Sequence, residues 1–564
     1  MFDHATPSPR STRWGMRSLT AAGCALTSLT MFAGAVSAAV PPPTHKAAAS
    51  APTPPPPPGT VWGDPKADQA AKNSKGKNRP IADPGSLYTI ENAIQARKVW
   101  AQQDASHRQI TGQGVGVAVL DSGVTAVPGL DGTGKLTYGP DLSIEANGSL
   151  SDQDTYGHGT HLAGIIAAHD PVTLTSGVIS ALSPSVQLGV APDAKLEALK
   201  LATTDGSTDV SQVIAALDWV SEHQTMPDGT RIRVVNLAFG TDSAQAYTSD
   251  PLAAAAENAW RHGLVVVVSG GNEGPDAGRL TDPAMDPYVL SVGASDGSDT
   301  VAGWASPGVA DFSNSGTTSR HVDVLAPGRS IVSLRDPGSY VDVNHPEGLV
   351  SGDTSGRLFR GSGTSQAAAV VSGAAALLLQ AYPNLTPDQV KGVLMATAKH
   401  VNASAVLAGA GQIDVAAALG AAKAAAAPKP PLAARYIQPW SSSRGQGSLE
   451  AARGGNHLVD ADDDVLSGEV DVQGNPWDPA RWAQAEAAGT AWQGGSWNGA
   501  VWTGTGWDKS GGLSSARWSS ARWSSARWSD ADWTSARWSS ARWSSARWSS
   551  ARSSSARWSG ATWG

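Results

Sequence analysis

Residues 115–124 read VGVAVLDSGV. The stretch from Val115 to Leu120 has no polar alternation, so it describes a strand covered on both faces, and Asp121 ends it against the turn residues Ser122 and Gly123. Runs of the same kind recur at 196–201, 233–239, 264–269, 289–292 and 322–325. Between and after them, helical patterns cover 160–168, 210–223, 251–262, 365–381 and 387–398. Apolar strands separated by amphipathic helices predict an α/β fold: a doubly wound, mostly parallel sheet flanked by helices. In such folds chemistry sits beyond the carboxyl ends of the strands, where Asp121 and Asn272 both fall.

Two further motifs complete a catalytic set with Asp121. His158 lies in GHGTH at a helix start, where flanking glycines permit close packing around the ring. Ser365 lies in GSGTSQAAA, also at a helix start, where free N–H groups and the helix dipole favour negative charge on a reacting oxygen. A carboxylate, an imidazole and a hydroxyl in these settings form a nucleophile, its base and the group that orients the base. His161, three residues beyond His158, has neither the spacing of four nor the intervening Glu of a helical zinc pair, and it is read as structural. Ser362 is the weaker nucleophile candidate. The segment Gly293-Ala294-Ser295-Asp296-Gly297 fits a lipase G-x-S-x-G pattern, but no helix pattern follows it, so a turn is expected there.

The chain order Asp, His, Ser and the motifs themselves resemble the subtilisin-like serine peptidases, the subtilases, over roughly residues 86–420. The resemblance implies a subtilisin-like fold and catalytic roles for Asp121, His158 and Ser365. It also implies an oxyanion hole made by the Asn272 side chain in VVVVSGGNEG and the Ser365 backbone N–H. Asp205-Gly206-Ser207 resembles the edge that pairs with substrate backbone, so Gly206 and Ser207 are expected substrate contacts. Ala238, Phe239 and Gly240 resemble the wall of the pocket for the side chain before the scissile bond. Strand addition along such an edge favours endopeptidase action on protein or peptide substrates. Two positions depart from the family pattern: Gln366 stands where Met is usual, and Ala369 where Pro is usual. The calcium loop expected after the histidine helix is not recognisable in 169–187. No metal or other cofactor is therefore assigned, and calcium has no assignable site.

The first 38 residues, with Arg10, Arg13 and Arg17 before an apolar stretch and Val36-Ser37-Ala38 at its end, predict a secretory signal peptide. The only cysteine, Cys24, lies inside it, so the mature protein would have no disulfide or thiol chemistry. Residues 39–85 form a Pro/Ala-rich linker, too short and too polar for a folded pro-domain. The peptidase domain is expected over 86–420, a second linker region over 421–476, and a Trp-rich pentad-repeat tail over 477–564. A net charge of -8 argues against a nucleic-acid partner, and no later segment reads as a transmembrane anchor.

In the tail, tryptophans recur every five residues, a period that gives neither a strand nor an α-helix an apolar face. A turn within each repeat is expected, leaving a β-solenoid-like or a disordered tail. From 513 to 564 there are eight Arg against two Asp, so the tail is read as a contact for cell-wall or envelope polymers. The acid-rich stretch 460–464 lacks glycine at the sharp turn of a calcium loop and is read as solvated. The expected protein is a secreted, extracellular serine endopeptidase, associated with the cell envelope. Two other readings stay open: a binding or adhesion protein with a degenerate peptidase domain, which the intact Asp121, His158, Asn272 and Ser365 oppose, and an esterase using Ser295, which lacks its elbow helix.

Overall fold

Every residue of the first strand, β1 (Val115–Asp121), is buried, as an unbroken apolar run in a parallel sheet requires. The computed structural model describes residues 83–146, 150–171, 179, 186–298, 302–459 and 464–502, with the backbone of 517–518. The described residues all fall within one compact unit, Gly63–Gly564.

Helices α1 (Leu87–Ala93) and α2 (Ala96–Trp100) precede β1. After it come β2 (Leu136–Tyr138), α3 (His158–Ala167), β3 (Lys195–Lys200), α4 (Val210–Glu222), β4 (Arg231–Leu237) and α5 (Pro251–Arg261). Strands β5 (Val265–Ser269), β6 (Leu290–Asp296), β7 (Gly308–Val309) and β8 (Val324–Pro327) complete the main sheet. Its order is β2-β3-β1-β4-β5-β6, with β8 parallel and the short β7 antiparallel to β6. From β1 the chain passes to the edge strand β2, returns through β3 and then crosses to β4 on the other side of β1, so the strand order reverses between β1 and β4. At such a reversal the connections diverge and leave a crevice at the strand carboxyl ends. Asp121 sits at that crevice.

A small antiparallel pair, β9 (Ile331–Leu334) and β10 (Leu358–Gly361), encloses helix α6 (Tyr340–Asn344) and leads into the long helix α7 (Thr364–Ala381). This helix packs across β4, β5 and β6, which its Ala-rich composition permits by letting the backbones approach closely. Among the described residues it alone is long and apolar enough to span a membrane, and it lies in the core. Helices α8 (Pro387–Ala396), α9 (Ala405–Ala408) and α10 (Val415–Ala425) follow.

The predicted strands and helices of 115–398 are all present, with ends shifted by a few residues. One local reading differs: Gly293 and Ser295 lie inside β6 rather than in a turn, and the Ser295 hydroxyl donates to Gln412 Oε1 at 2.7 Å within the core.

The Trp-rich residues up to 502 also join this core. Helix α11 (Leu449–Arg453), strand β11 (Leu458–Val459), helix α12 (Pro479–Ala487) and strands β12 (Trp492–Gln493), β13 (Ser496–Trp497) and β14 (Ala500–Val501) pack onto the sheet domain. Trp477, Trp482, Trp492 and Trp497 belong to the same hydrophobic core as the parallel sheet. Residues 477–502 therefore pack with the sheet domain as a Trp cluster on short antiparallel strands. The reason is turn geometry. Gly494 and Gly495, then Asn498 and Gly499, all have positive φ, which two-residue hairpin turns of the I′ kind require. A five-residue spacing places Trp492 directly opposite Trp497 across the first such turn. Residues 503–564, apart from the backbone pair Arg517–Trp518 that adds to β11, lie outside the described residues, as do 1–82, which include the expected signal peptide, and 460–463.

Candidate active site

Asp121 closes β1 with its carboxylate fully buried. Its Oδ1 accepts the Ser122 N–H at 2.8 Å and lies 2.7 Å from His158 Nδ1. An ionised carboxylate only accepts, so Nδ1 carries the proton and the lone pair resides on Nε2, the tautomer a general base needs. His158 is the first residue of α3, and it reaches Asp121 because Gly159 lets the helix start press against the β1 turn. A Cβ at Gly159 would stand 2.0 Å from the Gly123 carbonyl oxygen.

The helix start is held by a residue that motif reading passed over. Asp154 accepts the Gly157 N–H through Oδ1 and the Thr160 N–H through Oδ2, both at 2.7 Å, and so caps α3. The Ser122 hydroxyl lies 2.7 Å from Asp154 Oδ1 and accepts the Gly159 N–H at 3.0 Å. Asp154 and Ser122 thus tie the helix that carries the base to the turn that carries the acid. Asp154 lies three residues before the N-cap Gly157, outside the position where an acid is the usual capping signal, so the sequence marks it only weakly. Lys200, buried at the end of β3, pairs with Glu145 at 2.8 Å and donates to Thr155 Oγ1 at 3.0 Å, fixing the loop that leads to His158.

Asn272 lies three residues beyond β5. Its Oδ1 accepts from the Thr364 N–H at 2.8 Å and the Thr364 hydroxyl at 2.9 Å, which orients the amide. The Nδ2 end is buried and has no protein partner among the described residues. Ser365 is the second residue of α7, within the turn whose N–H groups the helix itself does not use. The position a Cβ would take at Gly363 is 3.4 Å from Asn272 Nδ2 and 3.7 Å from the Ser365 nitrogen. Only glycine leaves open the space on which these two donors converge. Asn314 steadies the Asn272 loop by accepting the Glu273 N–H at 2.6 Å. Gln366 is fully buried, and its Oε1 lies 2.7 Å from the same empty Cβ position.

The remaining candidates fall around this crevice. Gly206 and Ser207 lie in a turn closed by the Thr203 N–H to the Ser207 carbonyl at 3.0 Å and the Gly206 N–H to the Thr203 carbonyl at 2.8 Å. Ala238, Phe239 and Gly240 continue β4 past its carboxyl end, and all three are buried. His161 is a core residue: Nε2 lies 3.2 Å from the Phe359 carbonyl, and burial, with the neighbouring His158 adding to it, lowers its pKa to about 3. It is neutral at any working pH. The Ser362 hydroxyl accepts the Ser330 N–H at 2.7 Å, which commits it to the backbone. Among the described residues no group of three or more His, Cys, Asp or Glu is placed to hold a metal ion.

A buried Asp–His pair, a serine at a helix start and two converging N–H donors are the parts that an acyl-transfer site requires. The chain matches the subtilase family over residues 112–412. It belongs to that family. Serine protease AprX of Bacillus subtilis (strain 168) is 35% identical over 313 residues, which are 55% of this chain and 65% of that protein, just under two thirds of its length. Subtilisin Savinase of Lederbergia lenta is 32% identical over 318 residues, 56% of this chain and 95% of its own. The alkaline protease of Alkalihalobacillus alcalophilus is 32% identical over 345 residues, 60% of this chain and 74% of its own. A crystal structure of a cold adapted subtilisin-like serine proteinase aligns with a TM-score of 0.40 at 26% identity, covering 58% of this chain and 97% of that one. The chain is a subtilisin-like serine protease, and its subtilase match ends before α11, so the Trp-rich segment is an addition to the family core.

Proposed function

We propose that this subtilase is a secreted endopeptidase that cleaves peptide bonds through an acyl-enzyme on Ser365. The Ser365 hydroxyl attacks the scissile carbonyl while His158 Nε2 takes its proton. His158 then returns that proton to the leaving amine, and a water repeats the sequence to release the acid product. Asp121 fixes the tautomer and stabilises the imidazolium. Asn272 Nδ2 and the Ser365 N–H stabilise the oxyanion. The observation that carries this reading is the 2.7 Å contact of His158 Nδ1 with Asp121 beside an Asn272 amide already oriented by Thr364.

Gly206 and Ser207 hold the substrate backbone, and Ala238, Phe239 and Gly240 wall the pocket for the residue before the scissile bond. Extracellular location rests on the signal-like first 38 residues, and retention at the envelope on the Arg- and Trp-rich residues beyond 502. The test is hydrolysis of casein by the purified protein. Hydrolysis should stop with a covalent serine reagent and survive a zinc chelator. Loss on chelation, restored by zinc, would refute the serine mechanism.

A further inference from the structure

Arg453, at the end of α11, is fully buried more than 240 residues after its partner Asp209. Its Nε donates to Asp209 Oδ2 at 2.6 Å, its Nη2 to Asp209 Oδ1 at 3.3 Å, and its Nη1 to the Gly468 carbonyl at 2.8 Å and Glu450 Oε2 at 3.2 Å. Asp209 is also the N-cap of α4, accepting the Ser211 N–H at 2.9 Å. The Asp209 N–H donates to Gln212 Oε1 at 2.6 Å, and Gln212 Nε2 donates to the Leu142 carbonyl at 2.7 Å and the Leu201 carbonyl at 3.0 Å. The Leu201 N–H in turn donates to the Asp121 carbonyl at 2.8 Å.

The turn 203–207 lies between Leu201 and Asp209, so both of its ends are fixed by this one assembly. A second strut runs beside it, from the Val472 N–H to the Ser211 hydroxyl at 2.9 Å. The turn itself is closed by its own hydrogen bonds, and the Thr204 N–H and hydroxyl tie it to Glu145 Oε1 at 2.7 and 2.8 Å. Its placement is therefore set at Thr204 and at the two ends, and one end is held by the guanidinium supplied by the C-terminal addition.

We propose that Arg453 is a positioning residue for substrate binding, and that the C-terminal addition sets the alignment of the 205–207 edge through the Arg453–Asp209 pair. This rests on the reading of 205–207 as the edge that pairs with substrate backbone. An extended peptide uses that edge and a small ester does not. Disturbing the anchor should therefore weaken extended substrates selectively and leave the chemistry at Ser365 intact.

The experiment measures kcat and KM on the full chain for a fluorogenic hexapeptide and for p-nitrophenyl acetate, with active sites counted by fluorophosphonate titration. Arg453→Met leaves Asp209 buried and unpaired, so it is accompanied by Asp209→Ser/Arg453→Met, in which a neutral cap replaces the charge. The double variant should raise the hexapeptide KM about ten-fold, with its kcat and the ester turnover per titrated site within about two-fold of the parent. An unchanged hexapeptide KM would overturn the proposal. So would an equal loss on both substrates, or a double variant that does not fold, since either marks a purely structural role. Gly206→Ala separates the two readings, because Gly206 has φ +85° and its Cβ would press on the Tyr156 ring at 3.2 Å. If Gly206→Ala leaves the hexapeptide KM unchanged, the edge reading itself fails. If it raises KM while the double variant does not, only the role of Arg453 fails.

Discussion

The Thr364 N–H and hydroxyl both bond to Asn272 Oδ1, at 2.8 and 2.9 Å, so the Asn272 amide is oriented before any substrate arrives. Thr364 immediately precedes Ser365 on α7. One residue thus aligns the loop after β5 with the start of the helix that carries Ser365. Preorganised donors of this kind cost no rearrangement when charge develops, which is why they act on the transition state more than on the bound substrate.

Asn272→Leu should therefore lower kcat by on the order of 100- to 1000-fold, the size of effect found for this kind of donor in subtilisin itself, with little change in KM. Steady-state kinetics on a peptide substrate would show it. A variant that raises KM and keeps kcat would place Asn272 in ground-state binding instead.

Asp154 caps α3 and, through Ser122, holds the His158 helix against the Asp121 turn. Asp154→Ala should cost about 1 kcal/mol of stability as a lost cap and lower kcat by up to about 100-fold, since displacement of a base by about 1 Å is felt at that scale. Calorimetry together with kcat at saturating peptide would separate the two effects.

Much of the candidate site is legible because each proposed catalytic group sits in its own local motif. Asp121 ends an apolar strand, His158 lies between glycines and Ser365 opens a helix, so a linear reading recovers them without knowing what they touch. Asp154 and Asn314 carried weaker signals. They act by capping helix or loop N–H groups, and many acids and amides in a chain could do the same. The packing of the C-terminal region is less legible for a different reason. A period of five suits no single helix or strand, and only the positive-φ pairs at Gly494-Gly495 and Asn498-Gly499 turn it into a hairpin stack with one apolar side. Arg453 gave no sequence signal, because its meaning depends on an acid far away in the chain.

The packing of the Trp segment ties residues 477–502 to the sheet domain. Trp482 and Trp497 are fully buried and both donate to Asp218 Oδ2, at 2.9 and 2.8 Å. Truncation before residue 477 should expose the α4 and α5 faces and cost well beyond the roughly 3–5 kcal/mol of a single buried Trp→Ala change. Thermal denaturation of the truncated protein reads this, and if it melts like the parent, the segment does not belong to the core.

Asp218 also makes stability depend on pH. Burial, with Glu222 adding to it and the two indole donors opposing, pushes its carboxyl up to about 7. Unfolded, the same carboxyl titrates near 3.9, so between about pH 4 and 7 the unfolded chain gives up a proton that the folded protein keeps. This group's contribution therefore falls as pH rises through that window and is level above it. Asp218→Asn keeps an oxygen for both indole N–H groups and removes the titration. Its gain in melting temperature over the parent should be near zero at pH 4 and largest at pH 7 and above, growing by at most about 1.4 kcal/mol per pH unit between. Thermal denaturation in a Ser365→Ala background, which prevents self-digestion, would read this directly.

The account stands on Ser365 as the nucleophile activated by His158. Its most direct test is to label the active protein with a fluorophosphonate and locate the adduct by peptide mass mapping. The expected result is a single adduct on Ser365, lost in Ser365→Ala and formed far more slowly in His158→Ala. An adduct on Ser362 or Ser295, or undiminished labelling and peptide turnover in Ser365→Ala, would contradict it.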